Sequence, residues 1–357
     1  MPGLIPWLLL LVSINLALFL STVLQEPAFQ LEYLRQFLVP SLVALALPLT
    51  FTKCRDLRAM SYAMAFGLLL IIVLNLAQYW REFTTLGRIP EEISPHRRYG
   101  DGLIVVIPFA LWVALTARSA WVRGGCYVAL SIGVVMLILT GMRGGWLAFG
   151  VSSLFIAVAA YRVFGGKRMI AVSVLLAATI GAVMYMAPEN FTINRIDRGF
   201  STTHRVDGTW LPAVDMVAER PLAGFGFGER VFHHNFYERK PDHPEWSLRR
   251  SEGPHNTYLS LAFAAGVPTL LAYLALLTGV IYQITRGAAW ALRDSDEATR
   301  EHGALGVMIV AALIAAYGVH GMVETKTWAP FGVLMGMAFA WLRVTASEVS
   351  ATARITE

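Results

Sequence analysis

Ten apolar runs, most of them close to the length that crosses a bilayer and separated by charged loops, leave this chain little choice of fold: 4–23, 37–52, 59–80, 102–117, 124–142, 144–161, 169–187, 257–284, 303–322 and 328–342. About 20 apolar residues span roughly 30 Å of hydrocarbon as a helix. Inside lipid a helix also satisfies its own backbone polar groups. The composition closes off the soluble alternative. At 56% hydrophobic and 15% charged over 357 residues, with a mean hydropathy of +0.56, no interior of this size hides so much apolar surface. The expected class is therefore an all-α polytopic membrane protein. The runs 37–52, 102–117 and 328–342 are short, and Pro40, Pro48, Pro108 and Pro330 lie in or beside them, so kinks or re-entrant pieces are expected there.

The short loops set an orientation. Lys53, Arg55 and Arg58, then Arg118 and Arg123, then Arg162, Lys167 and Arg168 fall on one side, which the positive-inside rule makes cytoplasmic. Both termini then lie in the cytoplasm. Residues 1–23 have neither a basic start nor an Ala-x-Ala-like site and read as a retained helix. Cys54 and Cys126, both near cytoplasmic helix ends, imply no disulfide framework. A formal charge of +5 gives no reason to expect nucleic acid as a partner. The chain divides into helices 1–7 over 1–187, a polar loop domain over 188–256, and helices 8–10 with a cytoplasmic tail over 257–357.

The 188–256 segment, together with the 81–101 loop and the corner at 141–145, falls on the opposite, exported side. It holds five of the chain's eight histidines: His204, His233, His234, His243 and His255. Eight arginines and Lys240 are nearly balanced by ten acids, and Trp210, Trp246, Phe225, Phe227, Phe232 and Phe236 are interleaved, which reads as an ordered domain. Trp210, Leu211, Val214 and Val217 recur at helical spacing, so 205–219 is expected to lie on the membrane or against the bundle.

Candidate site residues come from this side. Arg143 stands between two apolar spans, where a guanidinium either snorkels to headgroups or binds an anion. Gly144 and Gly145 beside it let a ligand approach helix N-terminal amides, a setting that favours phosphate. The run Pro221-Leu-Ala-Gly-Phe-Gly-Phe-Gly228 reads as a plain turn or as an anion-binding nest of amides. His255 opens the long apolar run through Pro254-His255-Asn256-Thr257-Tyr258-Leu259, with Arg249 and Arg250 upstream and Arg220 earlier. It reads either as a helix-capping or interface histidine, or as a base that meets a polar substrate; a histidine's ordinary pKa of about 6.5 lets it take up a proton at envelope pH. His233, His234 and His243 with Asp242 match no metal-ligand spacing and read as surface histidines. Asp294-Ser295-Asp296 has the Asp-x-Asp form of metal-dependent sugar transferases, but among Arg293, Glu297 and Arg300 in a short cytoplasmic loop it reads as a solvated helix turn.

Three of these stretches together resemble the O-antigen ligase family: Thr140-Gly-Met-Arg143-Gly144, then Arg205 and Trp210 ahead of Pro221-Leu-x-Gly-x-Gly-x-Gly228, then His255-Asn256-x9-Gly266. The resemblance covers roughly 130–345. It implies a GT-C-like, inverting and metal-independent glycosyltransferase of the bacterial inner membrane, with one large periplasmic loop domain and no cofactor. The implied donor is an undecaprenyl-pyrophosphate-linked glycan, and the acceptor is a lipid A-core sugar hydroxyl. Arg143 and Arg205 would hold the pyrophosphate, His255 would activate or orient the acceptor, and Gly144, Asn256, Arg249, Arg250 and Arg220 would contact substrate. The family commonly has about twelve spans against the ten counted here. O-antigen polymerases and protein O-oligosaccharyltransferases of the same superfamily share the donor and remain alternatives. A lipid or glycan transporter, with ionisable groups at mid-membrane, fits less well, since within these ten spans only His320 titrates.

Overall fold

The computed structural model describes residues 4–86, 97–164, 204–324 and 328–355. The expected 169–187 span, residues 188–203 of the polar segment, part of the 81–101 loop, and Lys167 and Arg168 lie outside them. Among the described residues the chain is helical, with no strand. In order, the helices are α1 (Ile5–Gln25), α2 (Pro27–Thr50, with a π turn at Leu34–Leu38), α3 (Cys54–Leu86), α4 (Arg97–Thr116), α5 (Ala120–Leu139), α6 (Arg143–Phe164), α7 (Leu211–Glu219), α8 (Glu229–Arg239), α9 (Thr257–Ala291), α10 (Glu297–Leu313) and α11 (Trp328–Ile355).

Eight helical segments among the described residues are long and apolar enough to cross a membrane, which makes a multi-pass membrane protein the natural reading. They correspond to eight of the ten expected runs. The 144–161 run is α6, and 169–187 lies outside the described residues. Boundaries need correcting where the runs looked short. The second segment starts at Pro27, ten residues ahead of the apolar run, because it begins with polar turns carrying Glu32 and Arg35. The last continues as α11 through the expected tail to Ile355. Pro48 and Pro108 sit inside continuous helices, and Pro40 is the second residue after the π turn.

The helices pack into two compact units. In the first, comprising 1–52, 201–283 and 317–357, α1 buries Leu11, Ile14, Asn15, Leu18, Ser21 and Thr22, a stripe at three- and four-residue intervals. Small residues bring α11 against α2: a Cβ on Gly332 would lie 2.2 Å from the Pro40 carbonyl oxygen, and one on Gly336 would lie 3.1 Å from the Cα of Ala44. In the second, comprising 53–200 and 284–316, α10 is buried continuously from His302 to Leu313. Trp112 of α4 donates its indole N–H to the Glu301 carbonyl at 3.1 Å, and Arg58 of α3 pairs with the Glu301 carboxylate.

The polar segment folds on aromatic packing. Phe225, Phe232, Phe236, Trp246 and Phe263 form a buried cluster with Ala213 and Met216 of α7, so 205–219 is helical as its spacing predicted, with a π turn at His204–Trp210 leading into α7.

Candidate functional site

The Pro-His-Asn-Thr-Tyr motif makes the N-terminus of α9. Asn256 caps it: Oδ1 accepts from the N–H groups of Tyr258 (2.9 Å) and Leu259 (3.0 Å), the ordinary use of an asparagine at this position. Its Nδ2 donates to the Met322 carbonyl at 3.0 Å, Thr257 Oγ1 donates to the Glu324 carbonyl at 3.0 Å, and the Tyr258 hydroxyl lies 2.6 Å from the Tyr317 carbonyl oxygen. Three consecutive residues thus strap the start of α9 to 317–324. The structure gives Asn256 a capping task that occupies its oxygen.

This strap places His255. Its φ of +43° is the one positive value at a non-glycine residue among the described residues, following Gly253 at +76°. Such a conformation persists only where the surroundings over-determine it, and it gathers at functional sites. The imidazole Nδ1 lies 3.3 Å from Glu324 Oε2, and Nε2 lies 3.9 Å from Glu252 Oε2. Arg205, on the π turn ahead of α7, sends both Nη1 and Nη2 to the same Glu324 oxygen, each at 3.3 Å. One carboxylate oxygen therefore joins two of the residues the sequence singled out, Arg205 and His255. Burial pushes Glu324 up, but the hydrogen bond and charge of His255, then the charges of Arg205 and His320, outweigh it and hold its pKa at about 2. Glu324 is a fixed anion at any physiological pH.

Sequence reasoning missed Glu324. It stands 69 positions beyond His255 with no motif around it, in Gly-Met-Val-Glu324 just past the apolar run. The available signal was an acid placed directly after an apolar run, at the same span end as His320.

Arg143 belongs to the other compact unit. There Thr140–Met142 makes the tight corner, Gly141 has a φ of +63°, and Arg143, Gly144 and Gly145 form the first turn of α6. A Cβ on Gly145 would come within 2.7 Å of Met142 Cε, so the corner is packed as well as short. Of the remaining candidates, Arg249 and Arg250 are exposed, and Arg220 donates to Gln25 Oε1 at 2.6 Å with its guanidinium 4.5 Å above the Phe225 ring.

The glycine run is a helix-break filler and not an anion nest. α9 is interrupted at Ala265 (φ −144°, ψ 25°) and Gly266 (φ +82°, ψ 171°). The carbonyls this frees are taken by the run: Phe225 N–H bonds the Phe263 oxygen at 2.8 Å and Gly226 N–H bonds the Ala264 oxygen at 2.9 Å. In return Val267 N–H bonds the Pro221 oxygen at 2.7 Å, and Phe227 N–H goes to Thr22 Oγ1 at 2.9 Å. These central amides are spent on protein and are not free to cradle phosphate. Asp294 and Asp296 likewise serve a helix start: Asp296 Oδ2 accepts from Thr299 N–H and Oγ1 at 2.8 Å each, at the head of α10, and Asp294 Oδ1 accepts from Asp296 N–H at 2.9 Å.

Residues 126–274 match the sequence model of the family described as "O-Antigen ligase". The chain is 26% identical over 263 residues to a Salmonella typhimurium (strain LT2) protein named "O-antigen ligase", an alignment covering 71% of this chain and 61% of that relative. The chain thus spans about three fifths of the length of the curated relative it matches. The matched region contains Arg143, Arg205, the glycine run and His255-Asn256-x9-Gly266, so the resemblance seen in the motifs holds, and residues 126–274 carry the sequence pattern of the O-antigen ligase family.

Proposed function

We propose that this chain is a glycosyltransferase of the O-antigen ligase kind, joining a glycan from undecaprenyl pyrophosphate to a lipid A-core sugar hydroxyl at the periplasmic face of the inner membrane. The observation that carries the reading is the His255–Glu324–Arg205 cluster at the mouth of α9. In this reaction the acceptor hydroxyl attacks the anomeric carbon from the face opposite the pyrophosphate. The new C–O bond forms as the old one breaks, the hydroxyl proton goes to His255, and the pyrophosphate leaves with the bond's electrons and the configuration inverted. With Nδ1 against Glu324, Nε2 is the nitrogen that receives the proton, and the carboxylate stabilises the imidazolium that results. Arg205 has five N–H donors and uses one from each terminal nitrogen on Glu324, which leaves three for phosphate oxygens. Arg143, at the first turn of α6, is the other guanidinium that the family resemblance assigns to pyrophosphate, a role argued from its motif alone. Arg249 and Arg250 are exposed contacts for an anionic glycan or core, and the polyprenyl tail stays in the bilayer.

The direct test incubates purified protein with lipid-linked glycan and three acceptors: lipid A-core, a second lipid-linked repeat, and an acceptor peptide. Transfer to lipid A-core that survives excess EDTA is expected. Transfer only to the lipid-linked repeat would make the chain a polymerase, and turnover that vanishes in EDTA and returns with magnesium or manganese would overturn the arginine-based account.

Arg143→Lys separates anion binding from snorkelling. Lysine keeps the charge but loses the planar donor fork, so glycan transfer is expected to fall at least about tenfold with folded yield intact. Normal transfer by a well-expressed Arg143→Lys protein would remove Arg143 from the donor site.

A further inference from the structure

Asp215, His243 and Glu245 each offer one ligand atom, and these atoms all lie within 4.8 Å of one another. Asp215 comes from α7, and the other two come from the loop after α8. By sequence, His243 groups only with Asp242 and its neighbouring histidines and reads with them as a surface residue, because the long separation between Asp215 and His243 hides the partnership.

Two of the three ligands are held by one buried side chain. The His243 ring lies flat on Trp246, with centroids 4.4 Å apart and 8° between planes, and the Trp246 indole N–H donates to Asp215 Oδ2 at 2.8 Å. Trp246 itself is 1% exposed and stacks on Phe236 at 5.2 Å. The third ligand already converges: Glu245 Oε1 is 2.6 Å from His243 Nδ1, and that hydrogen bond holds the Glu245 carboxyl below its ordinary range. An indole donating to a carboxylate is the kind of outer contact that orients a metal ligand.

We propose that Asp215, His243 and Glu245 bind a divalent cation of the zinc class, which clamps the 240–246 loop to α7. One imidazole and two carboxylates suit zinc and its late first-row neighbours, whereas calcium and magnesium take all-oxygen sets. Zinc bonded at about 2.0–2.2 Å in a tetrahedron holds its ligand atoms about 3.4 Å apart, so the exposed Glu245 carboxylate has to draw back from its 2.6 Å contact with His243 Nδ1 to admit the ion. Water takes the fourth position, and any proton shared between His243 and Glu245 is released on binding. The proposal stands apart from the transferase reading, since none of the three residues belongs to the His255 cluster.

The test uses the full-length protein in detergent, stripped with EDTA and titrated with zinc against a chromophoric chelator, with thermal unfolding followed in parallel. One zinc per chain is expected, with the unfolding midpoint raised by about 2–4 °C at saturation. His243→Phe keeps an aromatic ring on Trp246 but removes the nitrogen. Outer contacts alone cost 10–100-fold in metal affinity, so this variant is expected to lose more than about 100-fold. His233→Ala and His234→Ala are expected to bind zinc as the wild type does. Less than stoichiometric zinc in the wild type, binding that survives His243→Phe, or binding lost with either neighbouring histidine would each overturn the site. Glycan transfer assayed well below the unfolding midpoint is unchanged in His243→Phe, so failure here and failure of the transferase reading are told apart.

Discussion

His255→Ala is expected to leave a folded protein that still binds lipid pyrophosphate but transfers glycan about 10²–10⁴-fold more slowly, the usual contribution of a positioned general base. Donor binding survives because the phosphate contacts belong to the arginines, and removing the imidazole leaves Arg205 its bonds to Glu324. The motive is geometric: His255 holds a left-handed backbone conformation, and Nδ1 faces an anion. His255→Asn and His255→Gln sharpen the test. Both keep a hydrogen-bond donor for Glu324, and asparagine tolerates positive φ better than most residues, but neither takes up a proton near neutral pH. All three variants are to be measured for monodisperse yield, lipid-pyrophosphate binding and glycan transfer. Substantial transfer by the Asn or Gln protein would leave His255 as an orienting group only, and loss of yield or donor affinity in the alanine protein would make it structural.

Hydropathy placed the helices well because lipid dictates the length of an apolar run and little else. Where polar side chains entered a helix the signal failed. Glu32 and Arg35 hid the first turns of α2, and α9 runs on past 284 through Arg286 to Ala291. The site was half legible. Arg205 and His255 were visible because they sit in short motifs, whereas Glu324, which joins them, depends on a contact across 69 residues that no local pattern records. Asn256 was read as a substrate contact from its neighbour, and only the backbone shows that it caps α9. The glycine run left a plain turn and an anion nest both open for a related reason. Exposed amides next to glycines favour phosphate in general, but here a broken helix supplies carbonyls to the amides of Phe225 and Gly226, and a threonine hydroxyl takes that of Phe227. The two motifs that looked like separate signals are one packed unit.

That unit sets the second large effect: Gly266→Ala is expected to cost more than about 3 kcal/mol of stability and to abolish recovery of folded protein. Gly266 has a φ of +82° and a ψ of 171°, a region open to glycine and closed to residues with a Cβ. Space forbids the substitution independently: an added Cβ would lie 2.5 Å from the backbone carbon and oxygen of Leu222 and 2.7 Å from the Pro221 oxygen, none of which is a flexible side-chain end. Relief would require moving the 221–226 run, and with it the bonds of Phe225 and Gly226 to the open carbonyls and of Val267 to Pro221. Unpaired buried carbonyls are costly, and Phe263 and Ala264 are buried, so the break in α9 and the run that fills it stand or fall together. Gly224→Ala attacks the same contact from the other side, since its Cβ would meet the Phe263 oxygen at 2.5 Å, and is expected to behave alike. The control is Gly124→Ala, a helical glycine with nothing within 4 Å of an added Cβ, which is expected to gain up to about 1 kcal/mol from helix propensity. Monodisperse yield and thermal unfolding in detergent decide the matter. Wild-type yield and midpoint for Gly266→Ala would show that α9 can run unbroken through this position, and the pairing of the glycine run with the helix break would have to be given up.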